Sequence, residues 1–404
     1  LLINLLKIGM KNYLALEDLA NKDPYLVDKK IVVALSGGID SVALLHFLNK
    51  HHPGNVRAIH INHNLSKYSN EWCTFCESLC NSAKIEFKYI DINIKTSSNI
   101  EENARKKRYI SLISELIEDE ILCTAHHQED QAETFLLQLF RGSGVAGLAS
   151  MPKIKSVNGS ELYRPFLNIS KQQIIDYASI NQLDWREDDS NLDTNFKRNL
   201  LRIAFLPKLS SAFNGLVKNV SRSAAHQGEA LKLMHDLAKL DIINFELVIN
   251  NRIQVSSLAK LPDRRVVNVL RYFIAKQDFL LPSNKVLNEL ISLLSAKTDA
   301  NVILRWHHYE VRRYNNELYF FDSPFESLNL PCPYFDSLKN LPNFEIRFRL
   351  EGQRIKLKGK SHSQLLKKIL QESNIPPWER DKLRMYYVDG SLRAMETIGE
   401  ISEI

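Results

Sequence analysis

The 404-residue chain has only five cysteines and no uninterrupted apolar run long enough to cross a bilayer. Cys73, Cys76, Cys80, Cys123 and Cys332 make an odd number in a long chain without a recognisable secretory signal. That argues against a disulfide framework and for a reducing, cytoplasmic setting. The leading stretch Leu1–Met10 is apolar, but Lys7 interrupts it and no small-residue cleavage site follows. It is too short to span a membrane, so no membrane partner is expected. Met10 is a candidate start residue, and residues 1–27 read as an N-terminal extension. Internal repeats and long low-complexity segments are also missing, which excludes solenoids and disordered tails. The charge excess is small, +6, yet its sign suits a polyanionic partner. With 44% hydrophobic and 25% charged residues, the chain reads as globular and long enough for two or three domains.

The stretch around which the rest is organised is Ile31–Ser41, IVVALSGGIDS. Five apolar residues, several β-branched, read as a buried strand of a parallel sheet. They run into Ser36-Gly37-Gly38, where missing side chains let backbone approach a ligand. Asp40 and Ser41 then open a helix with Val42, Leu44, Leu45 and Leu48 turned to a core. Strand, glycine turn and helix N-terminus together make an anion site. The Gly-Lys-Ser/Thr ending of a nucleotide-binding P-loop is absent. SGGIDS instead resembles the pyrophosphate-binding loop of the N-type ATP pyrophosphatase superfamily; that resemblance implies an ATP loop of Ser36, Gly37, Gly38, Ile39, Asp40 and Ser41, in which Ser36, Gly37, Gly38 and Ser41 cradle the leaving pyrophosphate and Asp40 suits a Mg²⁺ ion bridging phosphate oxygens.

Residues 31–35, 56–61, 87–92 and 121–125 read as strands, alternating with amphipathic stretches at 41–50, 69–84 and 101–118. This alternation predicts an α/β fold with a doubly wound, mostly parallel sheet over residues 28–215. Polar residues follow three strand ends: the SGGIDS loop, Asn62-His63-Asn64 and His126-His127. Such ends are where ligands sit in these sheets. A Gly-, Ser- and Pro-containing loop covers roughly 141–165, then come a helical run at 170–182 and the polar stretch Glu187–Asn199. Residues 216–325 read as a mainly helical domain, with a hairpin around Asn315-Asn316 within 302–321. The proline-containing segment 326–342 reads as a linker, and 343–404 as a small mixed α+β domain.

Ala125–Glu133, AHHQEDQAE, starts at a strand end and enters a helix. His126, Asp130 and Glu133 fall at i, i+4 and i+7 and share a face if the helix starts early. Such groups bind metal, orient a nucleotide or handle protons. Cys73, Cys76 and Cys80 invite an iron–sulfur reading. On a helix, however, they fall beside Phe75, Leu79 and Ala83 in one apolar stripe, which is ordinary for buried thiols. Between Arg347 and Lys368 there are eight Lys or Arg and one acidic residue, Glu351. Arg347 and Arg349 alternate as on one strand face, a pattern suited to RNA phosphates.

Taken together, the motifs resemble the tRNA(Ile)-lysidine synthetase family of the PP-loop (N-type ATP pyrophosphatase) superfamily over nearly the full chain. The resemblance is carried by SGGIDS, HINHNLS (60–66), Glu101-Glu102 with Ala104-Arg105 and Arg108-Tyr109, AHHQEDQAETFLLQLFRGSG (125–144), WREDDSN (185–191), KRNLLR (197–202) and SHSQLLKKILQESNIPPWER (361–380). It implies ATP and Mg²⁺ as cofactors, with free L-lysine and a tRNA(Ile) bearing a CAU anticodon as substrates. It implies adenylation of O2 of the wobble cytidine, attack by the lysine ε-amine, and loss of AMP to give lysidine, which moves codon reading from AUG to AUA. By position it assigns Asp40, Arg105, Asp130 and Arg202 to catalysis, and Asp40 and Asp130 to the metal. His63 and His126 join the ATP loop, and Glu133 and Asn191 meet lysine. The middle domain is then substrate-binding, and Arg347, Arg349, Lys367 and Lys368 of the last domain hold tRNA. The family usually has two aspartates after the histidine pair; here they are Glu129 and Asp130. A homodimer is compatible with the pattern. The alternative is a PP-loop tRNA thiolase using the cysteines; a glutaminase-coupled synthetase lacks its glutaminase domain here, and a non-enzymatic RNA-binding protein would release no pyrophosphate.

Overall fold

The computed structural model describes residues 10, 12–14, 16–19, 23–62, 69–92, 100–157, 159–187, 193–295, 302–322, 335–350, 352–357, 362–396 and 399–402, with backbone alone at 69, 100–106 and 399–402. It divides into two compact units, Leu1–Leu233 and Met234–Ile404.

In the first unit, strand β1 (Lys30–Ala34) is central because its residues are apolar on both faces. Ile31 and Val33 feed one core with Leu44, Leu48 and Phe166, while Val32 feeds the other with Ile59, Leu112 and Leu122. β2 (Val56–Asn62) and β3 (Glu86–Asp91) lie on one side of it. β4 (Glu120–Cys123), β6 (Ser160–Tyr163) and the edge strand β5 (Ile154–Val157) lie on the other, giving the order β3-β2-β1-β4-β6-β5. All pairings are parallel except β5 with β6. β1 sits in register between β2 and β4, with Ile31 opposite both Val56 and Ile121. The strand order reverses there, so the carboxyl ends of β1 and β4 flank the crevice where such sheets hold ligands.

Helices α1 (Ile39–His51), α2 (Ser69–Ser82), α3 (Ile100–Ser114) and α4 (Gln128–Phe140) follow β1 to β4 in turn. The segment 141–165, read from sequence as a loop, contains the short helix α5 (Val145–Leu148) and the hairpin β5–β6. Four-residue strands are too short to show alternation, so their pairing is visible only in the sheet. Helix α6 (Lys171–Ile180) starts on Ser170, whose hydroxyl and Gln173 form a capping box. After α7 (Lys197–Leu200) the chain takes a π-helical turn over Leu201–Phe205, then continues as α8 (Leu206–Ala212) and α9 (Leu216–Asn244). A π-turn inside a helical run often marks a functional position.

In the second unit, α10 (Val255–Leu258), α11 (Asp263–Lys276) and α12 (Asn284–Leu294) accompany a five-stranded antiparallel sheet. Its order is β7 (Val248–Ile249), β8 (Arg252–Gln254), β11 (Glu317–Asp322), β10 (Tyr309–Tyr314), β9 (Ile303–Trp306). The hairpin turns on Asn315, at φ 51°, between the paired Tyr314 and Glu317. Residues 326–334 of the proline-containing segment lie outside the described residues, and α13 (Phe335–Leu338) falls inside the range read as a linker. The C-terminal sheet has the order β12 (Phe344–Arg347), β15 (Met385–Val388), β16 (Ser391–Met395), β17 (Gly399–Ser402), β13 (Arg354–Leu357), β14 (Gln364–Leu365), with helices α14 (Leu366–Glu372) and α15 (Pro377–Arg380). Trp378 of α15 meets Tyr314, Tyr319 and Phe321 edge-on, and Arg312 lies over its ring. Among the described residues no helix is long and apolar enough to cross a membrane.

Candidate active site

The SGGIDS loop forms because two serines tie it to the first turn of α1. Ser36 N–H donates to Ser41 Oγ at 3.1 Å, and Ser41 Oγ donates to the Gly38 carbonyl at 3.0 Å. The two hydroxyls stand 3.0 Å apart. Gly37 turns the chain at φ +84°, and a Cβ there would meet Cys76 Sγ at 3.2 Å. The Gly37 carbonyl accepts the Arg186 backbone N–H at 2.9 Å, and the Arg186 guanidinium lies over Phe75, 4.3 Å from the ring centre. The loop is therefore pressed by α2 on one side and latched by the Trp185-Arg186 segment on the other. Ile39 packs partly into the core, and Asp40 occupies the first turn of α1.

At the end of β4 the two histidines take different partners. Helix α4 begins at Gln128, so His126 precedes it and pairs with Thr124 Oγ1 at 2.9 Å. His126, Asp130 and Glu133 thus do not share a helical face. His127 is the central residue instead. Its Nδ1 lies 3.0 Å from Glu129, and its Nε2 lies 3.4 Å from Asp130 and 3.8 Å from Asp40. Burial works against its cation, but Asp130, Glu129 and Asp40 outweigh that and push its pKa above the usual histidine value. Glu129 also accepts the Lys171 backbone N–H at 2.8 Å, so it joins the start of α4 to the start of α6. Lys171 Nζ in turn reaches Asp40 at 2.6 Å.

The deepest part of the site is a four-group cluster. Arg198 bonds Glu133 through Nε at 2.7 Å and Asp130 through Nη2 at 2.8 Å. Arg202 bonds the two oxygens of Glu133 at 2.6 and 2.9 Å and Asp130 at 3.1 Å. Burial raises the Asp130 carboxyl, but His127, Arg198 and His126 hold it well below the ordinary aspartate range. Burial also opposes both guanidinium charges, and the paired carboxylates raise both pKa values nonetheless. Arg202 lies in the π-turn, which carries it back onto the same acids as Arg198.

Three expected residues are not described in full. His63 and Asn191 lie outside the described residues, and Arg105 is described only as backbone on α3. In the C-terminal domain, β12 ends at Arg347, so Arg349 does not share its strand face. Arg347 is held by Glu345 and lies over Tyr387, Arg349 pairs with Asp381 at 3.3 Å, and Lys368 lies 3.8 Å from Glu372. Lys367 is exposed.

Family models match the chain as a PP-loop domain over residues 11–209, a TilS substrate binding domain over 254–319 and a TilS substrate C-terminal domain over 344–399. The tRNA(Ile)-lysidine synthase of Coxiella burnetii is 35% identical, covering 90% of this chain and 87% of its own. That of Legionella pneumophila strain Paris is 36% identical over 90% of each. The chain belongs to the tRNA(Ile)-lysidine synthase family. It is a PP-loop enzyme of the ligase type and uses ATP. A U34-tRNA thiolase from Methanococcus maripaludis is similar in structure at 17% identity and a TM-score of 0.45, covering 54% of this chain and 77% of that one; so low a likeness has no bearing on activity.

Within this synthase fold two cysteines of α2, Cys76 and Cys80, belong to the core, and Cys73 is half-buried. Cys76 and Cys80 are buried among Leu44, Leu48 and Ile85, and burial pushes both thiols up to about 12. The stripe is shorter than the spacing implies, because Ala83 is exposed. Among the described residues no group of three His, Cys, Asp or Glu is arranged to hold a metal ion. Replacing Cys73, Cys76 and Cys80 together with Ala should leave turnover within about threefold of wild type while lowering stability by about 2–3 kcal/mol, the cost of small truncations in a packed core. Activity assays beside urea melts check this; loss of turnover in a folded variant would favour the cluster.

Sequence reasoning gave no role to His127, Lys171, Arg186 or Arg198, although His127 stood at a flagged strand end and Arg186 and Arg198 within the WREDDSN and KRNLLR motifs. For His127 a signal existed: a polar residue followed three positions later by an acid marks a helix start. The partners of the other three carry no local mark, since they lie far away in the chain.

Proposed function

We propose that the crevice at the ends of β1 and β4 carries out lysidine synthesis on the wobble cytidine, position 34, of tRNA(Ile) with a CAU anticodon. The observation that supports this best is the continuity of the SGGIDS loop with the row Asp40, His127, Asp130 and Glu133, the two acids at its end each holding two arginines. An anion cradle beside an acid row suits an enzyme that handles triphosphate and amine in one pocket.

In this reading Ser36, Gly37, Gly38, Ile39 and Ser41 receive the β- and γ-phosphates, with His63 and His126 beside the nucleotide. Cytosine O2 attacks the α-phosphorus, the bond to the β-phosphate breaks, and pyrophosphate leaves. Adenylation turns a poor leaving oxygen into a good one. The lysine ε-amine, having lost its ammonium proton, then adds at C2, and AMP departs from that carbon. Arg105 and Arg202 steady phosphate charge, for which a guanidinium fork is suited. Glu133 and Asn191 receive lysine.

The acids fit Mg²⁺ in the manner of phosphate-transferring sites. Asp40 Oδ2 and Asp130 Oδ2 lie 3.8 and 3.4 Å from the same His127 Nε2, so the two carboxylates are near neighbours at the strand ends and form no closed protein cage. Mg²⁺ takes one or two carboxylates and completes its shell with phosphates and water. Bound there, it would neutralise charge gathering on the phosphate oxygens.

Lys367, Lys368, Arg347 and Arg349 provide a basic surface for the tRNA body, a contact that weakens with salt. The compartment we infer is the cytoplasm, where tRNA and free lysine meet. Purified protein incubated with ATP, labelled lysine and a tRNA(Ile) transcript bearing CAU should give lysidine on nucleoside mass analysis. No transfer of label to that tRNA by folded protein rules the reading out.

A further inference from the structure

Asp40 is held differently from the deeper acids. The Glu133 and Asp130 side chains are 0% and 13% exposed, and each is gripped by two guanidinium groups. Asp40 is 31% exposed, and its Oδ1 is taken by Lys171 Nζ at 2.6 Å, on a side chain itself 34% exposed. An ion pair so open to water is worth little, so it exchanges readily. The Lys171 backbone, by contrast, is rooted. Its N–H donates to Glu129 at 2.8 Å, and it opens α6 behind the Ser170 capping box. The ammonium at the end of the stem is the part that can swing. An ammonium on a flexible stem suits a group that changes partners, whereas the guanidinium forks of Arg198 and Arg202 suit fixed pairs.

We infer that Lys171 stands in for the metal ion on Asp40 until ATP arrives and then moves to the triphosphate, so that Mg²⁺ enters with the nucleotide and not ahead of it. The inference rests on the Mg²⁺ reading above and adds to it the residue that keeps the site closed to the free ion. The argument from charge is direct. With the ammonium in place, a dication on the same carboxylate would gather three positive charges around one negative charge. Lys171 has to leave first. Free Mg²⁺ brings nothing to receive the displaced ammonium. A triphosphate seated on the SGGIDS loop does, because Asp40 stands in the first turn of the helix that the loop opens. Its oxygens lie next to the Lys171 head and accept it in charge-assisted hydrogen bonds.

The test uses the full chain without tRNA or lysine, so that no turnover enters. Mn²⁺ is the probe, and its binding is read from the loss of the free-ion electron paramagnetic resonance signal. Lys171→Met removes the charge and keeps most of the length. It should bind free Mn²⁺ about tenfold more tightly than wild type. Its affinity for ATP, from equilibrium dialysis with Mg²⁺, should fall about tenfold. The opposite signs separate this role from a structural one, which would weaken both. Lys171→Arg keeps the charge and should hold free Mn²⁺ within about threefold of wild type. Asp40→Asn in the Lys171→Met background should abolish the gain. Lys171→Gln carries the test if the methionine variant does not fold. Free Mn²⁺ binding that is unchanged or weaker in Lys171→Met, a gain that survives Asp40→Asn, or an unchanged ATP affinity overturns the inference while leaving lysidine synthesis standing. If neither wild type nor variant takes up Mn²⁺ beyond what ATP alone binds, the Mg²⁺ reading itself fails and takes this inference with it.

Discussion

Asp130→Ala should lower tRNA-dependent pyrophosphate release by about a thousandfold or more, the scale seen when a preorganised charged group is removed from a reacting site. Asp130 accepts from Arg198 at 2.8 Å, from Arg202 at 3.1 Å and from the His127 backbone N–H at 3.0 Å. Its loss leaves two guanidinium groups on one carboxylate, withdraws a proposed Mg²⁺ ligand and removes the chief support of the His127 cation. Breaking a buried ion network by removing one member costs about 3–5 kcal/mol. The cost here belongs near the lower end, because Arg202 is 40% exposed and water replaces part of what it loses. The contribution has a defined pH window. The Asp130 pKa is depressed from 3.8, so its stabilisation is present above that value and is lost as pH falls toward the native one. Urea melts of the variant should therefore flatten on the acid limb relative to wild type. Asp130→Asn keeps the volume and separates charge from packing. A gel shift with tRNA reports whether binding by other residues survives. Normal pyrophosphate release in either variant would remove Asp130 from the site.

Gly37→Ala should reduce kcat/KM for ATP by about 100-fold, the expected price of a displacement near 1 Å at a reacting centre. Two effects act at once. The left-handed φ of +84° costs an L-residue about 1–2 kcal/mol. The new methyl also presses Cys76 Sγ at 3.2 Å, and Cys76 is fully buried with no room to retreat. The double variant Gly37→Ala/Cys76→Ala relieves the second effect and not the first, so it should recover about a tenth of wild-type kcat/KM. ATP titrations at saturating tRNA measure both. A Gly37→Ala enzyme with wild-type ATP kinetics would show that the loop is not shaped around phosphate.

The strand–glycine loop–helix at Ile31–His51 was legible because every part of its signal is local: an apolar run, small residues, then a helical period. The alternation of strands with helices was legible for the same reason, and it predicts the parallel sheet. Its limits show where local signals fade. The β5–β6 hairpin has four residues a side and no visible period. The start of α4 was left open by sequence alone, because the Gln128 N–H is satisfied by Ile169, far along the chain, not by a neighbour.

The family and the acids Asp130 and Glu133 could thus be named from residues in order along the chain. Their partners could not. Arg198 stands 65 residues from Glu133, and Lys171 stands 131 from Asp40. Charged side chains so far apart in sequence leave no pattern of spacing; only the doubly wound sheet, folding α6 and α7 back over the ends of β1 and β4, brings them within 3 Å. Likewise helical spacing put the cysteines of α2 on one apolar stripe, but only the tertiary packing shows that Cys76 and Cys80 are buried in the core with Leu44 and Leu48 while Cys73 is half-buried, because burial depends on what the helix face meets.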